Sequence, residues 1–138
     1  MGIKLTVTSK DGLGEVKGIV QEAIDFIDEH DVYVNNYGFK LVMFEALNNA
    51  IIHGNSKDSE LQSECEVEII DQMLTITVQN EGDGFDWRQV LADAESNDGS
   101  ELIEGGRGFV IYKLYGYSFS FSEDGRKITL QKNLDLKS

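Results

Sequence analysis

Near its middle and again near its end, this 138-residue chain alternates apolar and polar residues on both sides of a short turn. Val67, Ile69, Leu74, Ile76 and Val78 keep a period of two across 64–70 and 73–80, around Asp71-Gln72. Tyr117-Ser118-Phe119-Ser120-Phe121 and Lys127-Ile128-Thr129-Leu130-Gln131 do the same across Glu123-Asp124-Gly125. Strands joined by turns this tight pair antiparallel, and their alternation leaves one sheet face apolar. That face needs a cover.

Helical spacing supplies one. Val16, Ile19, Val20, Ala23, Ile24 and Ile27 predict a helix from Leu13 to about Glu29, after a strand at Ile3–Thr8 and a turn at Ser9–Gly12. Residues 31–38 read as a polar loop. Phe39, Val42, Met43, Ala46, Leu47 and Ala50 predict a second helix to about His53, closed by Gly54. The stretch 81–105 is rich in Gly, Asp, Ser and Asn, with one short helical candidate at Trp87–Ala94. A third helix runs from near Gly106 to about Leu114. The order β-α-α-β-β-loop-α-β-β predicts an α+β fold, a two-layer sandwich whose mixed, mostly antiparallel sheet is covered on one face by helices. With no proline, repeat or linker-like segment, residues 1–138 read as a single domain.

Charge narrows the partners. The formal net charge is −13, from 25 acids against 12 bases. No basic patch suited to nucleic acid or an anionic membrane is visible. No apolar run approaches the roughly 20 residues of a membrane span, and the N-terminus has no signal-peptide core, so a cytoplasmic location is expected. Cys65 is the single cysteine, which excludes an internal disulfide and a Cys/His zinc cluster. It reads as a packed thiol.

Three polar features carry the chemistry. Glu45, Asn49 and His53 are spaced four apart on the second helix, away from its apolar stripe, with Asn48 beside them. Amides have no propensity reason to sit inside a helix. A solvated face is the plain alternative. Asn80-Glu81-Gly82-Asp83-Gly84-Phe85-Asp86 follows a strand directly, where glycines let backbone approach a ligand. Glu104-Gly105-Gly106-Arg107-Gly108-Phe109 opens a helix, where free N–H groups form an anion site. Each of these loops alone also reads as an ordinary glycine turn.

In this order, the three segments resemble the N-box and two glycine boxes of GHKL (histidine-kinase-like) ATPases. The branch they resemble most is the anti-sigma factor serine/threonine kinases and related regulatory ATP-binding domains, with E-x-x-x-N-A-x-x-H-G, D-x-G-x-G-F-D and G-R-G. The resemblance implies a Bergerat-type ATP-binding fold, ATP with Mg²⁺ as cofactors, and a serine/threonine kinase acting on an antagonist protein. It implies Glu45 as general base and Asn49 as the Mg²⁺ ligand. Asn80, Gly82 and Gly84 would meet adenine; Gly106, Arg107 and Gly108 would meet the phosphates under a lid at 95–105. Implied partners are a sigma factor, an anti-sigma antagonist or a linked regulator, and relatives often form homodimers. Two departures stand out: Asn80 replaces an aspartate, and the lid carries Glu95, Asp98, Glu101 and Glu104. These leave open a second function, a partner-binding module with weak or no nucleotide binding. A remoter third is a histidine-kinase catalytic domain acting on a histidine supplied in trans.

Overall fold

The computed structural model describes residues 2–8, 12–29, 34–50, 62–80, 88, 92 and 106–134. Among them lie five strands and three helices: β1 (Gly2–Thr8), α1 (Gly12–Asp28), α2 (Asn36–Asn49), β2 (Gln62–Ile70), β3 (Met73–Asn80), α3 (Gly106–Leu114), β4 (Ser118–Phe121) and β5 (Lys127–Asn133). The strands form one sheet in the order β1-β2-β3-β5-β4. All four pairings are antiparallel, so the sheet expected to be mixed has no parallel pair among the described strands.

Alternation divides the sheet into two faces. Cys65, Val67, Leu74, Ile76, Val78, Ile128 and Leu130 are buried on the inner face. Glu64, Glu66, Glu68, Thr75, Thr77, Gln79, Thr129 and Gln131 line the outer face, none of them buried. The inner face packs under Val16, Ile19, Val20, Ala23, Phe26 and Ile27 of α1, and Phe39, Val42, Met43, Ala46 and Leu47 of α2. Phe109 and Tyr112 of α3 complete the layer, with Phe109 stacked on Phe119 at 5.2 Å between ring centres. This is the expected α+β sandwich, one layer of helices over one sheet.

Local chemistry sets the boundaries. α2 begins at Asn36, not after a loop reaching Gly38, because the Asn35 side chain accepts from Gly38 N–H at 3.1 Å and caps the first turn. Asp71 and Gln72 have φ of 50° and 66°, the two-residue turn whose twist matches an antiparallel hairpin. Beyond the expected end of β5 the strand continues through Lys132. Its ammonium donates to the Tyr115 carbonyl at 2.9 Å, just past α3, and lies 5.5 Å from the Tyr117 ring centre. Lys132 therefore caps the C-terminal end of α3. The helix candidate at 87–94 lies outside the described residues apart from Arg88 and Ala92, both helical.

Candidate functional site

α2 and β3 each bring one polar side chain to a shared hollow of about 270 Å³ between the helices and the sheet. Asn49 stands at the last turn of α2 and Asn80 at the end of β3. Ala46, Ala50, Val78, Phe121 and Ile128 supply apolar wall; Tyr112, Gly125 and Arg126 complete the lining.

The β4–β5 turn makes one wall, and its shape has a cause. Ser122 Oγ donates to Asp124 Oδ1 at 2.7 Å, and Arg126 N–H donates to the same oxygen at 3.0 Å. Those bonds hold the Asp124 carboxyl below its ordinary pKa, the Ser122 contact foremost. Gly125 takes φ 71°, a left-handed conformation that glycine adopts without penalty. The turn thereby aims the Arg126 carbonyl at β3. Asn80 meets it twice: its N–H donates at 2.8 Å and its side-chain Nδ2 at 3.1 Å.

This clamp settles which end of the Asn80 amide faces inward. With Nδ2 engaged on Arg126, Oδ1 is left as an acceptor, and it has no partner although Asn80 is only 7% exposed. Among the described residues four buried side-chain polar atoms lack a hydrogen-bond partner: Asn49 Nδ2, Asn80 Oδ1, Tyr112 Oη and Tyr117 Oη. The first three belong to residues lining this one hollow. Each orphaned buried group costs about 1–3 kcal/mol, so their gathering at one place makes this hollow the candidate site.

Tyr112 is fully buried. Burial pushes its phenol well above the ordinary value; the neighbouring Asn49 amide acts the other way, and the Glu45 charge adds to the rise. The amide lies close enough to influence the phenol, yet neither Asn49 Nδ2 nor Tyr112 Oη closes a hydrogen bond of good geometry. Gly108 explains how they fit. A Cβ there would stand 3.1 Å from Asn49 Nδ2 and 3.4 Å from Tyr112 Oη.

Of the residues predicted from sequence, the structure brings Asn49, Asn80 and Gly108 together. Glu45 is half-buried one turn before Asn49 and is not part of the hollow's lining, although Tyr112 feels its charge. Gly106 opens α3 as expected. Gly82, Gly84, His53, Trp87, the 95–105 lid and the Arg107 side chain lie outside the described residues. Sequence reading missed Tyr112 and the Arg126 carbonyl. Tyr112 falls one helical turn after Gly108, a spacing that places both on one face. Arg126 could be found only from register, because Gln79 pairs with Lys127 and so sets Asn80 beside Arg126. Among the described residues no three His, Cys, Asp or Glu side chains gather to hold a metal. No described helix is long and apolar enough to cross a membrane.

The chain, an α+β sandwich with an amide-lined hollow between its second helix and its sheet, belongs to the histidine kinase-like ATPase domain family, which matches residues 36–132. That span opens with α2 and closes on Lys132 of β5, so it contains every described residue lining the hollow. The chain is similar to anti-sigma F factors from two strains of Clostridium perfringens, 28% identical over 99 residues, covering 70% of this chain and 71% of theirs.

Proposed function

We propose that this protein binds ATP with Mg²⁺ in the hollow, and that it works in the cytoplasm as an anti-sigma-type regulator with serine/threonine kinase activity towards an antagonist protein. The observation that carries the reading is Asn80 Oδ1, a buried acceptor without a partner, set across one hollow from the Asn49 amide in a chain of the histidine kinase-like ATPase domain family. Asn80 Oδ1, fixed as an acceptor, suits an exocyclic amine such as that of adenine. Ala46, Ala50, Val78 and Ile128 suit the faces of a planar base. Asn49 offers an amide oxygen, a reasonable hard ligand for Mg²⁺, with nucleotide phosphates and waters to complete the octahedron. Bound there, Mg²⁺ neutralises phosphate charge. Gly106 and Gly108 would let the start of α3 approach the phosphates. Glu45, one turn before Asn49, would take the proton of the attacking hydroxyl. The similarity to anti-sigma F factors supports a sigma factor as one partner.

The decisive measurement is thermal unfolding with and without Mg·ATP. At a hundredfold excess over the dissociation constant a bound ligand adds about 2.7 kcal/mol to stability, and Asn49→Ala should remove that gain. No shift for wild type at millimolar ATP refutes nucleotide binding. The second reading, a partner-binding module, is favoured by the missing charge at Asn80 and the acids at 95–104, and would then stand. Kinase activity is tested by labelled-phosphate transfer to a candidate antagonist. Equal transfer by wild type and Glu45→Ala removes Glu45 as base.

A further inference from the structure

Among the described residues Tyr112 is the one lining the hollow with a titratable hydroxyl, and nothing in the proposed reaction uses it. It is an interior residue whose Oη has no partner. Asn49 Nδ2 has none either. Both atoms lie within 3.4 Å of the same point, the place a Cβ on residue 108 would occupy. The absence of a side chain at Gly108 thus lets the amide and the phenol come together. Two buried polar side chains that flank one point and act on each other, each costly when unpaired, have a remedy in one another. A hydrogen bond from Nδ2 to Oη would satisfy both, and hydrogen bonds at such sites commonly tighten only when ligand is bound.

The direction of that bond matters because an asparagine is asymmetric. One end of the amide accepts and the other donates. A divalent cation needs the oxygen, and an inward-turned NH₂ would repel it. A hydroxyl can accept a hydrogen bond, so holding Nδ2 on Oη leaves Oδ1 pointing the other way. We propose that Tyr112 is a positioning residue for Asn49: its hydroxyl accepts the Nδ2 hydrogen and turns Oδ1 toward a phosphate-bound cation. This inference rests on the ATP·Mg²⁺ reading above. It gives α3 a second task besides opening toward phosphate, since one turn after Gly108 it sets the polarity of a side chain on α2.

The test uses the full chain and reads binding, not turnover. ATP affinity is measured by calorimetry in EDTA and in Mg²⁺, and Mn²⁺ bound to the ATP complex is followed by electron paramagnetic resonance. Tyr112→Phe keeps the ring and removes only the hydroxyl. The expected result is metal-free ATP affinity within about twofold of wild type, with Mg²⁺ enhancement and Mn²⁺ affinity reduced about tenfold or more, the usual cost of losing a group that orients a metal ligand. A second variant separates orientation from packing. Asn49→Asp has two equivalent oxygens, so in that background Tyr112→Phe should cost nothing. Unchanged Mg²⁺ enhancement in Tyr112→Phe overturns the proposal. So does an equal loss of metal-free affinity, or a tenfold cost that persists in the Asn49→Asp background. Absence of Mg²⁺-dependent ATP binding in wild type overturns the nucleotide reading itself, and the positioning role with it.

Discussion

Replacing Asn80 with aspartate restores the residue that the family pattern carries at this position, and the structure predicts that the exchange harms the fold. Nδ2 donates to the Arg126 carbonyl at 3.1 Å. Aspartate puts an oxygen in its place, so a bond is lost and two acceptors face each other in a site only 7% exposed at residue 80. Losing one partner of a buried pair costs about 1–3 kcal/mol, and ionising the new carboxyl there adds to it. A loss near 2 kcal/mol lowers Tm by roughly 8 °C for a chain of this size. The pH dependence has a definite sign. Burial and the facing carbonyl raise the folded-state pKa of the introduced carboxyl above its unfolded value near 4. Its protonated form can still donate to Arg126, so the variant approaches wild type below about pH 4 and weakens as pH rises through the folded pKa. Thermal unfolding of both proteins from pH 4 to 8 measures this. A variant as stable as wild type at pH 7.5, with no such trend, refutes the idea that the Arg126 carbonyl is matched to an amide.

Gly108→Ala should raise helix propensity by up to about 1 kcal/mol while pressing on Asn49 and Tyr112, so unliganded Tm should hold or rise as the Mg·ATP-induced shift shrinks by half or more; an unchanged ligand shift shows that the close approach is unimportant. Gln72 adopts φ 66° without being glycine, and Gln72→Gly should stabilise the β2–β3 hairpin by about 0.5–1 kcal/mol in urea unfolding. Cys65 is buried, and burial first, then the Glu66 charge, push its thiol up to about 12; disulfide reagents at pH 8 should therefore react with it only at the rate of unfolding, and rapid labelling of native protein would contradict its placement.

The apolar skeleton was readable because periodicity reports it directly. All six residues expected to form the stripe on α2 are buried, as are five of the six on α1, where Ile24 is only half-buried and Phe26 takes an interior place. What escaped was set by tertiary partners. The first turn of α2 has no apolar period; it depends on the Asn35 cap and on Tyr37, which is 61% exposed yet stacks on Tyr115 from just past the end of α3. Lys132 looks like a strand-end cation until the end of α3 is placed above it. Tyr112 looks like one more apolar helix residue, and only the neighbouring amide shows why a hydroxyl there is out of the ordinary. Asn80 was recognisable by position, but the orientation of its amide follows from a carbonyl 46 residues away along the chain.

That carbonyl belongs to the main chain, and this has an evolutionary corollary. Any amino acid at 126 other than one that deforms the turn presents the same oxygen, and the arginine side chain, about half exposed, adds only a 3.9 Å contact with Asp124, so position 126 should tolerate change among homologues. Drift at 124 or 125 would be punished instead, since the contour of the loop rests on an aspartate's reach and a glycine's backbone latitude. Selection for what enters the cavity would thus register at two inconspicuous turn positions, one exposed and one buried, and pass over the residue that supplies the contact.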